Sequence, residues 1–544
     1  MRFTILSAVT FALAALAQAQ PDRCASSGDL RLINGRIHTM NAQDTVVTEV
    51  TIQSGRITSV GAATPNPDPC TRTIDLQGRT AVPGLIDNHN HIVLLGLRPG
   101  YDTRLETAGS IADVQAAIRT RAAGVPRGAF ITAMGGWNQV QFTEKRLPTL
   151  AELDAAAPNH PVIVYQAFTG PAATNSLGRA FFAQKGVTVS ATGAIAANAP
   201  SVAALNALRA VQTFEDKKRG TLDAMNYAAS VGLTTNVDMG AFLPPGLENI
   251  QESFTFDGLA TESPFTMYDA FNTLHREGKM STRLRVFFLS MDTRPDVPML
   301  GDRLRNTFEG FGDDMLRLSG IGEFASSWPL FGQVTTPPNY ETALQLIAKQ
   351  GWAFQQHSLS LVEDQLTATT FEKVNATTPI KDLRWSVAHV PRINLETINR
   401  FKAIGAAIAV HPFEYLAGGP NAGPPLRTIL DSGIRVGAGS DAAQISTLNP
   451  WLILYYMVTG KNSSGVLIND GQQVTRTEAL RLYTSANGWF LKEESTLGSI
   501  EPGKLGDVVV LNEDYFNPTA VPDERLKSIK PAMTIVGGKI VYGQ

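Results

Sequence analysis

Eight short runs of apolar residues along the middle of the chain constrain its fold more than any other feature. They occupy residues 82–91, 231–240, 283–290, 316–324, 351–357, 383–389, 405–411 and 433–441. Between them lie helical patterns such as NYETALQLIAKQG and NLETINRFKAIG, each ending at glycine as helices often do. Buried strands that alternate with helices form parallel sheets, and eight such units predict a closed (β/α)8 barrel, a TIM barrel of the α/β class.

The 544 residues exceed what one hydrophobic core accommodates, so further units are expected. Alternating strand patterns with Asn34-Gly35 and Ser54-Gly55 turns precede the first run, and the same style returns in GDVVVLNEDYF and MTIVGGKIVYG at the other end. We therefore expect a barrel over residues 81–484 and a composite β-sandwich domain built from residues 20–80 and 485–544. The segment at about 99–214 is too long for a βα connection and predicts an inserted lobe.

The first residues and the charge balance predict an exported, soluble protein. Arg2 precedes an apolar stretch at residues 3–16 that is short for a membrane span, and Ala17-Gln18-Ala19 fits a cleavage site, so residues 1–19 are expected to be a signal peptide. No other segment approaches the roughly 18 apolar residues of a membrane helix. The 46 basic and 49 acidic residues nearly balance, which disfavours nucleic acid or an anionic membrane as a partner. We expect a secreted protein, periplasmic in a bacterial host.

Two cysteines and two sequons bear on that compartment. An oxidising environment favours a disulfide between Cys24 and Cys70, with two free buried thiols as the alternative. Asn375 and Asn462 stand in glycosylation sequons, which matter only in a eukaryotic host.

Metal-ligating residue types stand where the predicted strands end. His89 and His91 close the first run, and alternate residues of an extended segment point to the same side, here into the barrel mouth. The fourth, fifth, sixth and eighth runs end in Glu323, His357, His389 and Asp441. Imidazole and carboxylate ligands suit zinc, manganese and iron. These six residues predict a site for one or two divalent metal ions, with zinc as the first expectation.

The same residue types suggest hydrolysis. A bound metal lowers the pKa of its water from about 15.7 towards 7, and Asp441 is placed to take a proton from that water and pass it to a leaving group. For Glu323, the alternative is an ordinary strand-end glutamate that faces a loop cation.

Weaker candidates surround this set. His411 ends the seventh run, and Trp137, Asn175 and Trp328 are further candidates for walls of a substrate pocket. Asp238 ends the second run and is expected to orient ligand histidines, with packing or loop capping as the alternative.

Several motifs together resemble the metal-dependent amidohydrolase superfamily: VPGLIDNHNH, the strand-end His357 and His389, GAGSD, and GSIEPGKLGDVVVLNED. More narrowly, the chain is similar to the amidohydrolase-3 branch, which includes YtcJ-like proteins and N-substituted formamide deformylases, and residues 135–166 resemble the inserted lobe of that branch. The resemblance implies hydrolysis of non-peptide C–N bonds. It also implies that His89 and His91 bind a first metal, that His357 and His389 bind a second, and that Asp441 is both ligand and proton shuttle.

The chain departs from that branch on strand four. The branch commonly has a lysine, often carboxylated, in a K-x-x-x-DG run, whereas this chain reads GIGEFASSWP. Glu323 would then supply the bridging carboxylate directly.

The sequence thus predicts a secreted metal-dependent amidase or deformylase that acts on a small molecule. A lactone, carbamate or cyclic imide is the alternative substrate for the same site. An extracellular binding or regulatory protein with a degenerate site is the alternative of another class, against which the intact ligand set argues.

Overall fold

A computed structural model of the chain describes residues 29–61, 70–242, 258–263, 266–326 and 334–543. The predicted signal peptide, Cys24 and Trp328 lie outside the described residues.

Eight parallel strands form a sheet whose order in space follows the order in the chain. They are β1 (Leu85–Asn90), β2 (Leu233–Asp238), β3 (Arg283–Phe288), β4 (Leu316–Glu323), β5 (Phe354–Ser358), β6 (Ser386–His389), β7 (Ala407–Val410) and β8 (Val436–Ala438). This sequential order is that of a (β/α)8 barrel, so the predicted fold class is confirmed.

Hydrogen bonds join the first and last of these strands. Just beyond β8, the backbone N–H of Asp441 donates to the carbonyl of His89 at 2.8 Å. The side-chain amide of Asn487 donates to the carbonyls of Ile86 in β1 and Ala438 in β8, at 2.6 and 2.8 Å. The sheet is therefore closed at this seam by backbone and side-chain contacts.

Helices follow the barrel strands and pack their apolar faces on them. The helices of the barrel and of the segment that leaves it are Ile92–Gly96, Phe214–Ser230, Asp269–Arg276, Pro298–Asn306, Tyr340–Lys349, Leu361–Thr377, Leu395–Ala403, Glu414–Ala417, Leu426–Asp431, Pro450–Thr459, Arg476–Leu482 and Ser485–Phe490. Several begin at a side-chain cap, as where the Asn394 side chain accepts from the backbone N–H of Thr397.

A lobe is inserted after β1. Its five-stranded sheet contains Tyr101–Asp102, Ile131–Met134, Val162–Tyr165, Ala172–Thr174 and Ala194–Ile195. Its helices are Ile111–Ala123, Leu150–Ala156, Ser176–Gln184 and Ala199–Arg209, with a 3-10 turn at Gln139–Gln141. The lobe has apolar clusters of its own.

Strands from both ends of the chain share one sheet. Its six strands are Arg36–His38, Val46–Val47, Thr80–Pro83, Val508–Leu511, Pro531–Val536 and Lys539–Gly543, and a four-stranded sheet contains Leu30–Ile33, Val50–Gln53, Arg56–Val60 and Arg72–Asp75. Thr80–Pro83 pairs antiparallel with Val508–Leu511. Apolar side chains of both chain ends form a common core.

Buried ion pairs connect this β-rich unit and the segment before it to the barrel. Arg283 in β3 donates through Nε and Nη2 to the carboxylate of Asp507 at 2.8 and 2.7 Å. Arg285, two residues further along, donates to Glu493 at 2.6 and 3.2 Å.

Three other predicted features can be placed. Cys70 is disulfide-bonded. Asn375 is half-buried in the helix Leu361–Thr377. Asn462 is buried and its side-chain nitrogen donates to the carbonyl of Gly418 at 3.0 Å. Within the described residues, no helix has the length and apolar character that crossing a membrane requires.

Candidate metal centre

The six residues predicted as metal ligands converge at the carboxyl end of the barrel, and all six are buried. His89 lies in β1, Glu323 and His389 are the last residues of β4 and β6, and His357 lies in β5. His91 and Asp441 lie just beyond β1 and β8, respectively. The site therefore combines strand ends with the turns that follow them.

A register shift in β1 sets the direction of its two histidines. A step of two positions along β2, from Asn236 to Asp238, lies opposite a step of three positions along β1, from Asp87 to Asn90. Such a bulge re-aims side chains, as is common beside active sites. His91 then leaves the strand and becomes the residue before the helix Ile92–Gly96. The simple alternation assumed from the sequence is thus replaced by a bulge and a helix start.

The ring nitrogens of the first histidine pair are differentiated by their partners. The Nδ1–H of His89 donates to the side-chain oxygen of Gln355, and the Nδ1–H of His91 donates to the carbonyl of Gly240 at 2.7 Å. Nε2 of each ring is then the nitrogen that faces the carboxylates. Nε2 of His89 is buried without a hydrogen-bond partner among the described residues. A metal ion bound here would give Nε2 of both His89 and His91 a partner.

Glu323 lies between the two histidine pairs. Its Oε1 is 3.4 Å from Nε2 of His91, and its Oε2 is 3.8 Å from Nε2 of His89. The same Oε2 is 2.5 Å from Nδ1 of His357 and 3.1 Å from Nε2 of His389. Glu323 thus occupies the position of a carboxylate that could bridge two ions.

Asp441 lies near both pairs, in the segment just after the last strand. Its Oδ1 lies 3.4 Å from Nε2 of His91 and 3.6 Å from Nε2 of His89, and its Oδ2 lies 3.7 Å from Nδ1 of His389. His389 and Asp441 both have left-handed backbone, with φ of 69° and 54°. Non-glycine residues rarely adopt it, and strained backbone of this kind clusters at active sites.

The electrostatics of the cluster favour a cation. Burial opposes ionisation of Glu323, but His357 and His389 outweigh it and hold the pKa of Glu323 well below its usual value. Burial likewise opposes protonation of His91, yet Asp441 and Glu323 raise the pKa of His91 well above its usual value. Charged carboxylates in a buried setting require a positive partner. Ligand atoms of His89, His91 and Glu323 lie within 4.8 Å of one another, as do those of Glu323, His357 and His389, and this donor set fits zinc-type ions.

Asp238 acts on this site through the backbone. Its carboxylate accepts hydrogen bonds from the N–H groups of Val93 and Gly240, both at 2.7 Å, and from the hydroxyl of Tyr268 at 2.8 Å. Because the carbonyl of Gly240 holds His91, Asp238 fixes the turn that orients this histidine. It makes no direct hydrogen bond to a histidine among the described residues.

Three residues that were predicted to line a pocket can be located in the structure. His411 is fully buried against the ring of His389, so it belongs to the interior of the centre. Trp137 is buried in the lobe, where it stacks on Phe142 and donates to the carbonyl of Ala133. Asn175 caps the helix Ser176–Gln184 and is fully buried. The side-chain polar atoms of Trp137 and Asn175 thus form hydrogen bonds within the lobe, and their role as pocket walls stays a prediction.

Gln355, the hydrogen-bond partner of His89, was not predicted from the sequence. Gln355 precedes His357 by two residues in β5 and therefore lies on the same face of the strand. A polar residue two positions before a predicted ligand was the available signal.

A (β/α)8 barrel that gathers four imidazoles and two carboxylates at its carboxyl end defines a metal-dependent hydrolase. The family model described as "Amidohydrolase family" matches residues 72–542, and the chain therefore belongs to this family. The predicted metal-dependent amidohydrolase is confirmed at this level.

Individual relatives are distant but cover most of the chain. The N-substituted formamide deformylase of Arthrobacter pascens is 23% identical over 553 residues, which cover 94% of this chain and 98% of the relative. Among solved structures, an uncharacterized metal-dependent hydrolase from Pyrococcus furiosus has a TM-score of 0.58 at 19% identity, with 90% of this chain and 100% of that chain covered. The zinc complex of the atrazine chlorohydrolase TrzN from Arthrobacter aurescens has a TM-score of 0.56 at 16% identity, covering 94% and 95%. At these identities, the structural matches establish the shared fold.

Proposed function

We propose that the protein hydrolyses an amide or formamide C–N bond of a small molecule, and that zinc is its metal. The observation that carries the proposal is the placement of Glu323 between two histidine pairs with Asp441 beside both. The similarity to a relative named as a formamide deformylase supports the choice of bond, and the predominance of imidazole ligands supports zinc.

Different residues of the chain would hold the metal and orient its ligands. When bound, the metal supplies Lewis acidity and a water of lowered pKa. His89, His91, His357 and His389 would hold it, with Glu323 between the pairs. Gln355 and Gly240 fix the tautomers of the first pair, so that their Nε2 lone pairs are available for binding.

Asp441 is the proton carrier in this proposal. Although burial raises its pKa, His389 and the hydrogen bond from His91 lower the pKa of Asp441 below its usual value, so the carboxylate is charged at neutral pH. A charged carboxylate accepts a proton from water and returns it to the nitrogen that leaves. Protonation of that nitrogen matters because an amine anion is a poor leaving group.

A substrate screen tests the proposal. N-formyl amines, N-acyl amino acids, carbamates and lactones are offered to the purified protein with and without a chelator. We expect hydrolysis of the formyl or acyl amides, one to two equivalents of metal by elemental analysis, and loss of activity with chelator.

A pair of histidine variants provides the control. His89→Ala is expected to abolish hydrolysis, whereas His275→Ala, which removes a solvent-accessible histidine paired with Asp313, should leave it unchanged. Full activity in metal-free protein would overturn the proposal. A protein that binds no metal and hydrolyses none of these substrates would instead support the binding-protein alternative.

A further inference from the structure

His411 adjoins the metal centre, and ligand atoms of His89, His389 and His411 lie within 4.8 Å of one another. It follows β7 directly and is fully buried. Its ring centroid is 4.8 Å from that of His389 and 4.3 Å from that of His89. His411 is therefore close enough to two proposed ligands to influence how they are oriented.

Its hydrogen bonds define its tautomer. The backbone N–H of His389 donates to Nδ1 of His411 at 3.1 Å, so Nδ1 of His411 carries no proton. Nε2 of His411 is 3.3 Å from the side-chain oxygen of Asn88, which fits donation from Nε2–H.

This tautomer constrains His389. The Nδ1 atoms of His411 and His389 are 3.0 Å apart. Two unprotonated nitrogens at that distance would repel, so Nδ1 of His389 must carry the proton. Its Nε2 is then unprotonated, and this atom lies 2.9 Å from Nδ1 of His357 and 3.1 Å from Glu323.

We propose that His411 is a positioning residue of the metal centre, which accepts a hydrogen bond from Nδ1–H of His389 and thereby presents Nε2 of His389 to the metal. Metal-binding histidines usually donate their second N–H to a carboxylate, a backbone carbonyl or water. Here a neutral imidazole, itself fixed by Asn88, fills that place. The inference rests on the proposed function, because it presupposes a metal at His389.

Two substitutions separate this role from packing. Asparagine at this position keeps an acceptor oxygen near the place of Nδ1, whereas leucine fills a similar volume without an acceptor. We expect His411→Leu to weaken metal binding by about 10- to 100-fold, the usual effect of losing such a partner, and His411→Asn to stay within a few-fold of the wild type. Affinity is measured by competition with a chromophoric chelator, and thermal unfolding of both metal-free variants monitors packing. Unchanged affinity in His411→Leu, or equal losses in both variants, would overturn the proposal.

A measurement on the wild type keeps the test independent of variant folding. In zinc-loaded protein labelled with ¹⁵N-histidine, NMR should show His389 protonated at Nδ1 and His411 protonated at Nε2. His389 protonated at Nε2 would refute the inference. Failure of the proposed function would appear instead as a wild type that binds no metal, an outcome that the affinity titration detects separately.

Discussion

Replacement of Asp441 by asparagine should separate proton transfer from metal binding. The amide keeps the shape of the carboxylate but cannot accept and return a proton. His89, His91 and Glu323 still offer ligand atoms within 4.8 Å of one another, so most of the metal affinity should remain. General acid–base catalysis by a placed group contributes about 10²- to 10⁴-fold. At about 1.36 kcal/mol per factor of ten, Asp441→Asn should raise the barrier by roughly 2.7–5.5 kcal/mol, seen as a loss in kcat with little change in KM.

Two matched substrates sharpen this test. A formanilide with a nitro-substituted ring expels a nitrogen that needs less protonation than the nitrogen of a formyl alkylamine. If Asp441 delivers the proton, the kcat loss in Asp441→Asn should be smaller for the nitro-substituted substrate, at equal metal content by elemental analysis. Equal losses on both substrates would contradict proton delivery to nitrogen, and a kcat close to that of the wild type would refute any role as a proton carrier.

Three further predictions concern the bridging carboxylate, a buried ion pair and a buried acid. Glu323→Gln removes the charge between the histidine pairs and should weaken metal binding by at least about tenfold, as a chelator titration would show; unchanged affinity and stoichiometry would exclude bridging. Asp507→Ala leaves Arg283 buried without its carboxylate and should lower the free energy of unfolding in urea by about 3–5 kcal/mol. The control Glu341→Gln, at the exposed pair with Lys373, should lower it by less than about 1 kcal/mol. Similar losses in both variants would show that the buried pair stabilises the fold no more than the exposed one. Burial raises the pKa of Asp364 to about 7 from 3.8, so the folded state holds a proton that the unfolded state has released, and stability should fall as pH rises from about 4 through 7. Asp364→Asn should lack this fall, which amounts to at most roughly 4 kcal/mol, and parallel stability–pH curves for the variant and the wild type would contradict the assignment.

Strand periodicity and residue type were enough to predict most of the fold and the set of candidate ligands. The eight apolar runs predicted the barrel because a strand buried on both faces reads as a continuous apolar run, a local property of the sequence. His357, His389 and Glu323 were found because a polar residue at the end of such a run breaks the pattern. Asp441 was found in the same way, although the structure ends β8 three residues earlier, at Ala438.

Roles that depend on distant partners were not predictable. Trp137 and Asn175 have the residue types of pocket walls, and in the structure their side-chain polar atoms form hydrogen bonds with neighbours in the lobe. Asn462 stands in a valid sequon, but the carbonyl that occupies its nitrogen belongs to Gly418, distant in sequence. The role proposed for His411, as the partner of His389, depends on the 3.0 Å distance between their Nδ1 atoms, which the sequence does not contain.

The sequence by itself determined which elements form and which side chains stand at their ends, because both depend on patterns a few residues long. Only the tertiary structure decided which nitrogen of each histidine is free, which carboxylate lies between the pairs, and which polar residues serve the scaffold. Hydrogen bonding and desolvation act over a few ångströms, and those distances are set by the closure of the barrel, which brings residues hundreds of positions apart into contact.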